Sequence, residues 1–385
     1  MKIPLKYNLR SLRVRWVGTL MTALGIGLTV ALIIVMLAMV NGLDATFVET
    51  GDEQTLVVIR EGSQNEVNSY FELDKLEAVR FLPGVARGAD NQPLAAGETI
   101  VVINHPKRAG GSSNVTMRGT SLVGISLRLD FRLIEGRIFQ KGLREIIVSE
   151  SIARRFQGLA IGEELHIPQG DWKVVGIFTT GGSAYDSEIW ADYDDIAQAW
   201  SRPIYSSILV QAGSIEAAQQ LSKRIGDDQR IQLDAMNQRE YFRQGTISSI
   251  GLKALGFFIA TIVGIGSCFA IMNMMYGTVM SRQQEVATLR ALGFRRRSIL
   301  TSFLVEAGLL ALLGGILGCL FGSLFHGYSA GTSNWASFSE VVFNFRITPQ
   351  ILAQGIIFAL AVGFLGGVLP ARRAASLKLI DILRE

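Results

Sequence analysis

Cysteine is nearly absent from this chain: Cys268 and Cys319 are the only two in 385 residues. Both lie inside apolar runs, so no disulfide framework holds the polar middle of the sequence. Three histidines, His105, His166 and His326, stand far apart and lack metal-ligand spacing. No G-x-x-x-x-G-K-[ST] loop occurs, which excludes that mode of nucleotide binding, and neither H-E-x-x-H nor G-x-S-x-G is present. Charge is scarce as well, at 18% of residues, where soluble domains carry about 25%. A net charge of +4 is small for the length. A nucleic-acid binder would gather its basic residues on one face of a polar domain; here they border the apolar runs, which excludes that class.

What the chain has is apolar sequence, 49% of it, with a mean hydropathy of +0.32. It is gathered into long runs, the pattern of membrane spans. Val17–Val40 is uncharged and, at roughly 24 residues, long enough to cross a hydrocarbon core. It exceeds the apolar core of a cleaved signal peptide and reads as a signal anchor. Residues 247–276, 299–325 and 351–369 are the other runs, the last ending at Pro370. Residues 1–16 carry five basic residues and no acid. Leu5, Leu9, Leu12 and Trp16 recur at helical spacing there, which predicts an interfacial helix lying on membrane lipids.

Between the first two runs, residues 41–246 form a polar insert of roughly 200 residues, enough for one or two domains. Strands are expected at Thr55–Arg60, Thr99–Asn104, Asn114–Arg118, Glu145–Ser149, Leu165–Ile167, Trp172–Phe178 and Tyr205–Gln211 from their β-branched content. Helices are expected at Leu73–Phe81, Glu150–Phe156 and Ser214–Ile225, with Ser214 as N-cap. Asn91–Gly97 and Pro106–Ser113 read as loops, and Glu135–Arg137 as a turn. Asp192, Asp194 and Asp195 crowd one turn, the pattern of a solvated helix start rather than a calcium site. The fold class that follows is a membrane α-helical protein of four transmembrane helices, with an α+β extracytoplasmic domain inserted between helices 1 and 2.

Residues 1–16, 277–298 and 370–385 are the basic segments, and four spans put all three on one side. The positive-inside rule makes that side cytoplasmic, which leaves the insert and the short 326–350 loop outside. The spans carry small residues four apart: Gly314, Gly318 and Gly322 on the third, Gly355, Ala359, Gly363 and Gly367 on the fourth, Gly256, Ala260, Gly264 and Cys268 on the second. Such stripes let helices approach closely in lipid, either within one chain or between subunits. Glu306 is the one acidic residue inside a span. A carboxylate there needs a partner. It marks either an ion path or a contact to a neighbouring helix that positions the basic loop.

That loop, Ser281–Ile299 (SRQQEVATLRALGFRRRSI), is the stretch around which the chain is organised. Val286, Leu289 and Leu292 form a narrow apolar stripe, and Gly293 is a helix stop. Arg282, Glu285 and Arg290 are placed for charge-assisted contacts to a partner.

The order of these segments resembles the MacB/FtsX-like permeases of ABC transporters, the type VII or mechanotransmission class. Arg282, Glu285, Leu289, Arg290, Ala291, Leu292 and Gly293 match the family pattern R-x-x-E-x-x-x-L-R-A-L-G. Pro370–Ala375 with Leu383-Arg384 is similar to its C-terminal signature, and Leu133–Ile167 with Trp172–Phe178 to the MacB-type periplasmic domain. Leu379 departs from the pattern, standing where the family often has proline. The resemblance implies a bacterial inner-membrane subunit with cytoplasmic termini that binds no cofactor and is not an enzyme. ATP and magnesium would sit on a separate ABC ATPase docked on the 277–298 loop. It also implies a second permease copy or a paralogue, with a periplasmic adaptor and an outer-membrane channel as further candidate partners. Two functions fit: export of a lipid, peptide, drug or lipoprotein, or transmission of a signal to an extracytoplasmic enzyme such as a cell-wall hydrolase.

Overall fold

The computed structural model describes residues 14, 16–48, 50–245, 247–333 and 339–376. The interfacial helix expected over residues 1–16 lies outside them apart from Val14 and Trp16. So do Trp335, Leu379, Leu383 and Arg384. The chain divides into two compact units. One comprises Met1–Asn41, Leu252–Tyr328 and Phe345–Glu385; the other comprises Gly42–Gly251 and Ser329–Asn344.

Among the described residues, four helices are long and apolar enough to cross a membrane. They belong to α1 (Trp16–Val48), α8 (Ile247–Ser281), α10 (Arg296–Ser323) and α11 (Pro349–Ser376). Helix α1 runs beyond the apolar stretch because Leu43, Thr46 and Phe47 are buried and carry it on for two more turns. Helix α11 does not stop at Pro370, as expected, but continues to Ser376. A proline ring crowds the carbonyl four residues back, here that of Gly366, and removes one helical hydrogen bond, yet the helix carries on past it.

Within this unit the small residues meet other spans of the same chain. A Cβ on Gly314 would lie 2.6 Å from Ile26 Cβ, one on Gly318 2.5 Å from Val30 Cβ, and one on Gly322 2.7 Å from Ile34 Cγ2. On the opposite face of α10, Gly363 faces Ala311, and a Cβ on Gly367 would come 2.7 Å from Ala307 Cβ. Gly264 of α8 meets Phe358, and Thr29 and Ser267 share a hydrogen bond of 2.7 Å. Lipid supplies no hydrophobic drive for helix association, so close backbone approach and a few hydrogen bonds supply the cohesion.

The other unit is built on a ten-stranded mixed sheet. In chain order its strands are β1 (Thr55–Arg60), β2 (Ala95–Pro106), β3 (Ser112–Thr120), β4 (Arg132–Gly136), β5 (Glu145–Ser149), β6 (Glu164–Ile167), β7 (Gly170–Thr179), β8 (Glu188–Asp192), β9 (Ser207–Gln211) and β10 (Leu233–Asn237). Their spatial order is β10-β1-β9-β2-β3-β8-β5-β7-β4, with β6 on β7. The β3–β8 and β5–β7 pairs are parallel, the others antiparallel. β1 and β5 are buried on both faces, which their unbroken apolar runs require. The helices of this unit are α2 (Asp74–Arg80), α3 (Leu122–Ser126), α4 (Glu150–Arg155), α5 (Tyr193–Ala199), α6 (Ile215–Asp227) and α7 (Gln238–Gly245). Ser149 and Ser214 cap α4 and α6 by accepting from Ile152 N at 3.3 Å and Ala217 N at 3.1 Å.

Local expectations failed where pairing partners decide. Residues 95–97 join β2 against β9 rather than a loop. Glu135 lies in β4, with a bulge beside it and Gly136 at φ +81°. Asp195 is not solvated: it is buried and accepts from Gly142 N at 2.9 Å and Arg144 N at 3.0 Å.

The largest departure is the 326–350 segment. It contains a hairpin of β11 (Ser329–Ser333) and β12 (Glu340–Asn344), and this hairpin belongs to the same unit as the large sheet.

Candidate functional site

The loop between the second and third spans is a short helix, α9 (Gln283–Ala291), set off from α8 by a break at Arg282. It ends as its sequence dictates. Gly293 adopts φ +92°, a conformation closed to most side chains, and Gly293 N and Phe294 N donate back to Arg290 O and Leu289 O at 3.1 Å each. Arg295 is extended, and Arg296 opens α10.

The break residue is the anchor. Arg282 is buried, at 7% exposure. Its Nη1 donates to Glu306 Oε2 at 2.9 Å and its Nε to Glu285 Oε2 at 2.9 Å. The guanidinium also stands over the Phe303 ring, 5.5 Å from its centre. Glu306, 4% exposed and ten residues into α10, lies roughly 15 Å along the helix axis from Arg296. An unpaired carboxylate at that depth would cost several kcal/mol; with Arg282 against it, the charge instead ties the start of α9 to the third span. Removing one partner of such a pair strands the other and typically costs about 3–5 kcal/mol.

The seven expected contact residues are therefore not equivalent. Arg282 turns its Nη1 inward, onto the buried Glu306 carboxylate of the third span, and its Nε onto the exposed Glu285. Val286 also leaves the stripe, packing with Ile299 and Phe303 in the core of the spans. Leu289 and Arg290 are half-buried. Glu285, Leu292 and Gly293 are exposed, Leu292 at 67%. Beyond the half-buried Leu289 near the end of α9, the exposed residues include Leu292, just past the helix, and Arg295, Arg296 and Arg297 at the start of α10. Gly314, Gly318, Gly322, Gly363 and Gly367 lie at contacts between spans, as described above.

A second cluster, which the sequence did not reveal, lies in the sheet unit. Arg118, 2% exposed, donates to Glu66, Glu98 and Glu188 at 2.7–3.1 Å. Arg128 makes a two-pronged pair with Glu98 at 2.8 and 2.9 Å and lies over the rings of Tyr185 and Trp190. Burial raises the Glu98 carboxyl, but Arg128 and Arg118 outweigh it and bring it down to about 2. The bonded arginines and glutamates are 20 to 70 positions apart along the chain, so no periodic signal marks them. For a metal, the described residues offer one group, the exposed Glu164, His166 and Asp171, in which His166 and Asp171 already hydrogen-bond each other.

Comparison with known proteins gives the context. The MacB-like periplasmic core domain matches residues 19–228, and the FtsX-like permease C-terminal domain matches residues 257–379. An uncharacterized ABC transporter permease of Bacillus subtilis, YknZ, is 27% identical over 260 residues, 64% of this chain and 63% of that protein. The macrolide export ATP-binding/permease protein MacB of Chromobacterium violaceum is 26% identical over 396 residues, 95% of this chain and 58% of that protein. A second uncharacterized permease of Bacillus subtilis, YvrN, is 24% identical and is covered to 95%, as is this chain. The chain thus spans about three fifths of the first two relatives' own length.

Proposed function

This chain belongs to the MacB/FtsX-like permeases of ABC transporters, multi-pass membrane proteins with a large extracytoplasmic domain between the first and second spans, and from that premise we propose that it relays work from a separate ATPase to that domain. The observation that carries the proposal is the Arg282–Glu306 pair. It makes α9 a fixed extension of the third span, so a push on the helix face at Leu289 and Leu292 moves the span instead of flexing a loop. The sequence holds no nucleotide phosphate loop; ATP and magnesium belong to the partner. A relative whose name joins ATP-binding and permease functions supports the pairing of such a permease with an ATPase.

The work would serve export of a lipid, peptide, drug or lipoprotein by movements of the periplasmic domain. Packing of the first, third and fourth spans through glycine contacts favours moving helices over a conduit inside one chain. The same feature suits transmission of force to an extracytoplasmic enzyme, which is the alternative reading. A second permease copy or a paralogue would complete the assembly, and an adaptor with an outer-membrane channel would extend an exporting one. The test is Leu292→Glu, which puts a charge on an exposed position beside α9. Stimulated ATP hydrolysis in the complex should disappear while membrane insertion is retained; undiminished stimulation would refute the docking.

A further inference from the structure

The described residues between the third and fourth spans are far more constrained than a linker needs to be. A lone two-stranded hairpin is marginal in water, yet Val341, Val342 and Phe343 of β12 are each 4–6% exposed. Val342 packs in the same apolar cluster as Met117, Ile152 and Phe156, and its N–H donates to Ser187 Oγ at 2.8 Å. At the start of β12, Glu340 is 2% exposed and takes two cations: Lys107 against Oε2 and Arg155 on Oε1. These come from different segments, one just after β2 and one at the end of α4. Burying a carboxylate is unfavourable without such partners.

Two glycines make room for the arrangement. A side chain on Gly331 of β11 would overlap Glu340 Oε1 and the Arg155 guanidinium. One on Gly42, in the extension of α1, would overlap the Asn344 carbonyl at the end of β12. The connectors on either side are themselves paired: Gly327 N donates to Phe345 O, and Phe345 N to Tyr328 O, both at 2.9 Å. These bonds pair the chain just before the hairpin with the chain just after it.

We propose that the 329–344 hairpin is a locked tether through which the third and fourth spans hold and move the extracytoplasmic domain, with Glu340, Arg155 and Lys107 as the lock. Glu340 is thus a positioning residue. The proposal rests on the reading that work passes outward from α9. It adds a second route to the one through the first and second spans, which run directly into that domain. Force from α9 reaches the third span through Glu306, and the third span continues into the hairpin.

The experiment uses the full chain in lipid nanodiscs with the ATPase that co-purifies with it. Amide exchange over 340–344 reads the docking, and the ATP-driven change in exchange of β3 and β8 reads the relay. Glu340→Gln should speed exchange of the hairpin on the order of a hundredfold, as loss of a buried ion pair implies, and should abolish the ATP-driven change. Gly331→Ala should do the same with every charge retained. Unchanged hairpin exchange in Glu340→Gln and Gly331→Ala would overturn the lock. Faster exchange with an intact ATP response would overturn the tether, while Leu292→Glu in the same assay would still report whether work passes through α9 at all.

Discussion

The two units of this molecule solve the problem of cohesion in opposite ways. The spans meet at places where side chains are missing: Gly314, Gly318 and Gly322 accept Ile26, Val30 and Ile34. The sheet unit meets at places where charges are buried: two arginines and three glutamates share one hydrogen-bonded cluster. Water explains the contrast. A domain folding in water gains from apolar burial and can support a paired ionic network inside it. Helices in lipid gain nothing from hiding leucine, so contact distance matters most. Arg282–Glu306 is where the membrane unit uses the other unit's device, and it does so at the helix that we assign to the ATPase.

The comparison breaks most severely at Arg118. Arg118→Ala would leave Glu66, Glu98 and Glu188 facing one another without their shared cation. A loss of about 5 kcal/mol is expected, at the upper end for a broken buried pair, read by thermal unfolding of the full chain in detergent. A loss under about 1 kcal/mol would mean that the cluster behaves like a surface ion pair.

Acid probes the same cluster without mutation. The folded Glu98 carboxyl titrates near 2, below its ordinary 4.5. A depressed carboxyl gives stability that is complete above its unfolded value and is lost as pH falls toward the folded one. The contribution, on the order of 3 kcal/mol, should therefore persist down to about pH 4.5 and fade between there and about pH 2. Unfolding midpoints measured across that window for the parent and Glu98→Gln should converge at the acid end. Parallel curves would argue against the shift.

The spans are tested by adding bulk. Gly318→Leu would overlap Val30 and should cost about 1–3 kcal/mol by overpacking. Gly308, on the same helix, has nothing within 4 Å of where a Cβ would sit, so Gly308→Leu should be close to neutral. Unfolding in mixed micelles would compare the two; equal effects would remove the case for close packing. The smallest expected effect lies at the helix caps. Ser214→Ala removes the bond to Ala217 N and should cost about 1 kcal/mol.

Much of this molecule is legible from short windows. The four spans, the strand at Thr55–Arg60, the β6–β7 hairpin and the Ser214 cap each follow from residues that are neighbours in the chain. Glu306 announces its need for a partner because a lone carboxylate in an apolar run has few alternatives. The run EVVFN at 340–344 is a strand signal too, but a weak one beside the longer apolar runs that flank it. Which cation Glu306 takes, and that Arg282 is thereby withdrawn from the exposed face of α9, does not follow from any window. Nor do the parallel β3–β8 pairing or the seat of Glu340 between Lys107 and Arg155.

Periodicity and hydropathy are local sums, so the sequence alone determined which segments cross the membrane, which side is basic, and that a mixed α and β domain is inserted after the first span. Pairing is not local: residues such as Glu66, Arg118 and Glu188 meet only once strands between them have taken their places. The tertiary structure therefore decided which charges are spent inside the protein, which residues of α9 stay exposed, and that the loop between the last two spans belongs to the extracytoplasmic domain.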